Sequence, residues 1–307
     1  MVAGTDLPAG VDAVVSLDFE VDPGLTLSEL RHGPRDPTIR FERGVVWRAS
    51  RYRTGPATVR ISRAAQGWRV MAWGSGAELA FEAVPRLLGS EDDPEALPLA
   101  DRRLRELQAG LRGMRLGRTD AVMASLVPAI LGQKVTSIEA QRAYVGLVRR
   151  YGERAPGPGD LWVTPRPEVI AALPYFELHR LGLEQRRAVT LIRAAGRADQ
   201  LEAAVHLEPA AALARLRSIP GVGAWTAAET ARTALGDPDA VSLGDYHIPD
   251  LVCWALAGEP RGDDTRMLEL LEPYRGQRAR VVRIIERSGI HAPRYGPRYK
   301  PRDIRRM

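Results

Sequence analysis

Two short runs hold the residue types that could act on a polyanion: Leu216 to Ala227, which contains Ile219-Pro220-Gly221-Val222-Gly223-Ala224-Trp225-Thr226, and Ser242-Leu243-Gly244-Asp245-Tyr246-His247. A Gly-x-Gly turn entering a helix bares backbone N–H groups at the positive end of the helix dipole, with no Cβ in the way. That geometry suits a phosphate of the DNA backbone. Asp245, 22 positions beyond Gly223, adds a carboxylate. A Pro-Gly-x-Gly run also makes ordinary turns, and an Asp ahead of a helical run from Tyr246 also reads as a helix N-cap. For Asp245 both roles can hold at once.

These groups need rigid supports, and the flanking sequence supplies them. The Ala/Leu-rich run 209–218 reads as one helix and 224–235 as the next, with a turn between them too short to do more than reverse the chain. Helical spacing continues on both sides, at 100–112, 118–131, 136–151, 167–173, 183–196, 199–204, 246–257, 264–272 and 277–288.

On these motifs the chain resembles the helix-hairpin-helix DNA glycosylase superfamily, whose signature is Leu-x-x-Ile/Leu-Pro-Gly-Val/Ile-Gly followed about twenty residues later by an aspartate. Thr119 to Gly152, with Ile130-Leu131-Gly132-Gln133, is similar to the family's lesion-probing segment. Gly182 to Ala195 is similar to its Gly-x-x-x-x-Arg/Lys-Ala helix. Pro273-Tyr274-Arg275 resembles the Pro-Trp-Arg of the alkylated-base (DNA-3-methyladenine glycosylase II) branch. The likeness covers about residues 90–290.

The resemblance implies an enzyme that flips a damaged base out of double-stranded DNA and hydrolyses its N-glycosidic bond. Positive charge builds on the sugar as the base leaves, so a fixed carboxylate lowers the barrier, and Asp245 is the candidate. Members that also cut the strand carry a lysine in the second position after the hairpin; here it is Trp225, which implies a monofunctional, water-using enzyme. Trp225 would stack on the extruded cationic base, with Tyr274 as a second wall. Two departures stand out. Glu229 replaces the branch's aromatic one turn beyond the tryptophan, favouring a ligand with hydrogen-bond donors. Lys134 replaces an apolar wedge, so that its aliphatic stem fills the duplex gap while its amine meets a phosphate. Gln133 would contact the opposite strand, a solvated loop being the alternative. Pro220, Gly221, Val222, Gly223 and Thr226 would hold the backbone, and carbonyls of Arg217, Ile219 and Val222 would hold Na+ or K+.

Composition agrees with a nucleic-acid partner. The 307 residues carry 44 Lys and Arg against 38 Asp and Glu, a formal charge of +6. Lys134 and Lys300 are the only lysines, which starves any Schiff-base chemistry. Cys253, the single cysteine, excludes an internal disulfide and the four-cysteine iron–sulfur cluster of some superfamily members. No signal-like start and no apolar run of about 18 residues occurs. The expectation is a soluble, cytoplasmic, nucleoid-associated monomer without iron or zinc.

The fold class expected is α+β. Residues 1–90 form an antiparallel β-rich lobe, from alternating segments at 14–21, 38–41, 45–49, 57–62 and 68–73, with short helices at 27–30 and 78–88. Residues 91–290 form an all-α core in two lobes around the active-site cleft, reached through the polar linker Gly89 to Pro94 and interrupted by a Pro/Gly connector at 153–160. Residues 291–307, with Arg294, Arg298, Lys300, Arg302, Arg305 and Arg306, form a basic tail, either solvated or touching phosphates. Two other functions fit the scaffold: an oxidised-guanine glycosylase, and a non-catalytic DNA-damage binder.

Overall fold

The computed structural model describes residues 10–98, 101–293, 301 and 303–305. The N-terminal alternation closes a five-stranded antiparallel sheet of order β1-β5-β4-β3-β2. Its strands are β1 (Val11–Val15), β2 (Ile39–Glu42), β3 (Val45–Tyr52), β4 (Gly55–Arg63) and β5 (Trp68–Trp73). Val46 stands opposite Ile61 and Ile61 opposite Val70. One face is thus a continuous apolar row, on which α1 (Pro23–Leu27), α2 (Ala77–Glu82) and α3 (Val84–Leu87) bury Leu27, Val84 and Leu87. Each such side chain is worth about 1.5–3 kcal/mol of burial.

Sequence alternation places the first strand at Val14 to Val21, whereas pairing covers Val11–Val15. Leu17, Phe19 and Val21 do pack into the same core. The chain leaves the sheet there because Asp22 caps α1, accepting the Leu25 N–H at 2.9 Å.

The other face of the sheet carries Trp47 stacked on Trp73 at 5.7 Å. It is covered by a small hairpin of β6 (Glu153–Arg154) and β7 (Trp162–Val163), where the sequence shows only a connector. Gly157 in that turn has φ +81°, and a Cβ would stand 2.6 Å from Trp73 Cγ, so the close approach requires glycine.

Beyond the sheet, α4 (Arg102–Ala109) stands apart from the helices that follow it. Next come α5 (Val122–Leu131), α6 (Ser137–Tyr151), α7 (Pro167–Ala171), α8 (Tyr175–His179), α9 (Gln185–Ala195), α10 (Ala198–Glu202), α11 (Pro209–Arg217) and α12 (Ala224–Ala234). They share one core, built on residues such as Leu126, Ile130, Leu191, Leu216 and Ala227. The last helices, α13 (Ile248–Ala257), α14 (Asp264–Leu271) and α15 (Arg278–Arg287), share a separate core with α4 through Leu104, Val252, Met267 and Val281. Two helical lobes result, one holding the hairpin and the other built from α4 and the helices that follow Asp245.

The linker Gly89 to Pro94 is polar yet firmly anchored. Asp92 pairs with Arg280, accepts the Leu116 N–H at 2.9 Å, and offers its carbonyl to Arg115. Of the basic tail, Arg294, Arg298, Lys300, Arg302 and Arg306 lie outside the described residues, while Arg305 pairs with Asp303. Among the described residues no helix is long and apolar enough to cross a membrane.

Candidate active site

The hairpin stands because its apolar residues point down and its small ones face out. Leu216, Ile219 and Val222 are buried, while Pro220, Gly221 and Gly223 are exposed. Gly221 has φ +99°, and a Cβ there would lie 2.1 Å from Thr190 Oγ1 on α9. Gly223 begins α12 with no side-chain cap, no acid in the first turn, and nothing within 4 Å of where a Cβ would be. Uncapped N–H groups at an open helix start form an anion site. Val222 and Thr226, both expected among the DNA-binding residues, are buried, so any contact there is through the backbone.

Thr226 instead receives Gln133. The Gln133 amide donates to Thr226 Oγ1 at 2.8 Å and to the Gly221 carbonyl at 2.9 Å, which ties the loop between α5 and α6 to the hairpin. Arg187, the arginine of the Gly-x-x-x-x-Arg/Lys-Ala likeness, is buried and braces the same loop. Its guanidinium donates to the Leu131 carbonyl at 2.9 Å and to the Gly182 carbonyl at 3.2 Å, satisfying the end of α5. Thr136 and Glu139 close the other side as a capping box on α6. Between these anchors Lys134 is exposed, with φ +53°. A lysine held in the left-handed region costs about 1–2 kcal/mol, a strain that the braced loop imposes.

Trp225 spans the gap between the two helical lobes. A methyl on Gly132 would meet its Cη2 at 3.2 Å, and at the other end its Nε1 donates to Asp245 Oδ2 at 2.8 Å. Asp245 Oδ1 accepts the N–H groups of His247 at 2.7 Å and Ile248 at 3.0 Å, so the carboxylate also caps α13. A carboxylate offers about four acceptor directions, which leaves one free on Oδ2. The Asp245 segment is fixed again at Gly244, φ +83°, whose N–H donates to Asp264 Oδ2 at 2.8 Å. Tyr246, not singled out from the sequence, is 87 % exposed beside this carboxylate, edge-on to His247.

Two expected pocket residues turn out otherwise. Tyr274 is buried in the core formed by α4 and α13–α15, and cannot form a wall of the cleft. Burial also pushes its hydroxyl pKa up. The local Pro-Tyr-Arg likeness said nothing of that core. Glu229 lies one turn beyond Trp225, but both its oxygens are taken: Oε1 by Ser242 Oγ and Oε2 by Arg232 Nη2 at 3.1 Å. Arg232 in turn meets Glu29 of the β lobe at 2.5 Å and Glu286 of α15 at 3.3 Å. Burial penalises the Arg232 charge, yet Glu29, Glu229, Glu286 and Asp245 hold its pKa above the ordinary value. Burial likewise opposes ionisation of Glu29, but Arg232, Arg283 and Arg287 keep its carboxyl below the usual range. The i, i+4 spacing of Trp225 and Glu229 was readable in the sequence; Glu29 as a partner was not.

Comparison with known proteins agrees with this architecture. The chain is 31 % identical over 175 residues to DNA-3-methyladenine glycosylase 2 of Escherichia coli, covering 56 % of this chain and 60 % of that one. It is 33 % identical over 166 residues to the probable bifunctional transcriptional activator/DNA repair enzyme AlkA of Mycobacterium tuberculosis, covering 52 % of this chain and 33 % of that one. The chain thus matches between a third and three fifths of the length of these relatives. Among solved structures, the 3-methyladenine DNA-glycosylase of Archaeoglobus fulgidus superposes with TM-score 0.76 at 21 % identity, covering 90 % of this chain and 98 % of that one. The 8-oxoguanine glycosylase/lyase of Clostridium acetobutylicum superposes with TM-score 0.61 at 13 % identity, covering 81 % and 98 %. At those identities the structures speak to the fold alone. No family model matches the sequence. The chain thus has the fold of these glycosylases, and its hairpin and aspartate match the motifs on which the sequence likeness rests. Its sequence relatives lie on the alkylated-base branch.

Proposed function

We propose that this protein is a monofunctional DNA glycosylase, which flips an alkylated purine out of double-stranded DNA and hydrolyses its N-glycosidic bond to leave an abasic site. The observation that carries the reading is the single acceptor direction left on Asp245 Oδ2, at the seam between the hairpin lobe and α13. An alkylated purine already bears positive charge and leaves as a neutral base, so no general acid is required. The sugar becomes cationic, and the free direction of Oδ2 faces that charge or orients the attacking water.

The remaining groups follow from their placement. The open start of α12 takes a phosphate and anchors the strand beside the site. Trp225 supplies an aromatic face for a cationic base. Lys134, at the strained tip of the probe loop, enters the space that the flipped nucleotide leaves. With Trp225 where a strand-cutting member has its lysine, water is the nucleophile.

A monovalent cation at the hairpin belongs to the same proposal. The carbonyls of Arg217, Ile219 and Val222 close α11 and the turn, at the negative end of that helix dipole. Ile219 O accepts the Val222 N–H at 2.9 Å and keeps a second lone pair. These hard oxygen donors suit Na+ or K+, which would add positive charge for the phosphate. A monomer acting at the bacterial nucleoid in the cytoplasm completes the reading.

The test is direct. Methylated genomic DNA is incubated with the protein, and released bases are identified by mass. Alkylated purines appear with the wild type, and none with Asp245→Asn, whose DNA affinity stays within a few-fold. Base release by Asp245→Asn at the wild-type rate would overturn the assignment.

A further inference from the structure

Helix α12 grips the Asp245 segment at two heights. Trp225 Nε1 holds the carboxylate itself, and one turn further on Glu229 Oε1 accepts the hydroxyl of Ser242, three residues upstream of Asp245. Residues four apart share a helix face, so both contacts pull the segment against one stripe of α12. One hydrogen bond leaves a segment free to pivot; two separated along a helix fix its orientation. Ser242 is 3 % exposed. Glu229 is itself held by Arg232, which is clamped by Glu29 from the β lobe and Glu286 from α15. Arg283 closes the circuit on Glu29 Oε2 at 3.2 Å. All three lobes therefore meet at one guanidinium behind the carboxylate.

We infer that Glu229 is a positioning residue, which sets the aim of the Asp245 carboxylate through Ser242 and is locked by the interlobe clamp on Arg232. An aromatic at position 229 would touch a base; this carboxylate, with both oxygens engaged, reaches the reaction through the loop instead. The inference rests on the proposed role of Asp245. It makes preorganisation of that acid depend on contacts that never meet the substrate.

The experiment compares the affinity of the full-length protein for two duplexes, one with a cationic pyrrolidine in place of a nucleotide and one with a neutral tetrahydrofuran abasic analogue. The ratio reads the attraction between Asp245 and a positive ring. The wild type favours the cationic duplex, and Asp245→Asn does not. Ser242→Ala lowers the ratio about tenfold, the loss of one hydrogen bond to a charged group; Glu229→Ala, which also removes the Arg232 contact, lowers it at least as much, and both leave the neutral duplex bound as before. Ser242→Thr restores it. Either alanine variant suffices if the other fails to fold. A merely structural role would weaken both duplexes equally and lower the melting temperature, leaving the ratio at the wild-type value; that result overturns the inference. Equal binding of both duplexes by the wild type would overturn the catalytic reading of Asp245 instead.

Discussion

The indole N–H of Trp225 is hydrogen-bonded to Asp245 Oδ2 at 2.8 Å, so the ring proposed to stack on the base also orients the proposed catalytic carboxylate. Replacing it separates the two duties. Trp225→Phe keeps an aromatic face but loses a charge-assisted bond worth about 1.5–3 kcal/mol. Single-turnover base release is expected to fall about ten- to a hundredfold. Trp225→Ala, which also loses the stack, falls further. Wild-type turnover by Trp225→Phe would show that Asp245 needs no such donor.

Gly221 cannot carry a side chain. Its φ of +99° and the 2.1 Å approach to Thr190 Oγ1 both penalise Gly221→Ala. A cost of about 1–3 kcal/mol is expected in urea melts, with weaker DNA binding as the turn is displaced. An alanine variant as stable as the wild type would mean that the turn relaxes freely.

Lys134 offers the opposite balance. Lys134→Gly removes the strain of φ +53° and is expected to stabilise the fold by about 1 kcal/mol. The same change weakens DNA binding and reduces the slope of log affinity against log salt by about 1, as one cation–phosphate contact disappears. Stability and affinity thus move apart, which titrations at several salt concentrations alongside melts would detect.

Glu29 makes stability depend on pH. Against the penalty of burial, Arg232, Arg283 and Arg287 keep its folded-state carboxyl below the ordinary value of 4.5. Its contribution is therefore complete above the unfolded value and is lost as pH falls through the folded one. Glu29→Gln, which leaves buried guanidiniums short of a partner, should cost about 3 kcal/mol at pH 7. The difference from wild type should shrink at pH values well below 4.5. A difference independent of pH would remove the charge from the explanation.

Residues close in sequence were legible. The Ile219-Pro220-Gly221-Val222-Gly223 turn, the flanking helices and four of the five β-lobe strands follow from turn chemistry and periodicity, which act over a few residues. The end of β1 was missed because Leu17 and Phe19 alternate without a strand to pair with. β6 and β7 are two residues each, too short to show a period. Tyr274 and Glu229 were read by local likeness, but their surroundings are set from afar: Tyr274 by the core it shares with α4, Glu229 by Arg232 and, beyond it, by a β-lobe acid some two hundred positions earlier.

Because α4 packs with α13–α15 and not with its neighbour, the hairpin lobe is an insertion within the lobe that bears Asp245. A ribosome releasing this chain would deliver α5–α12 whole, able to close their own core, while α4 waits for partners not yet made. The acid-bearing half is completed last. On the proposed reading, a nascent or C-terminally truncated chain would have its phosphate-facing hairpin finished before it had an ordered acid to act on a glycosidic bond.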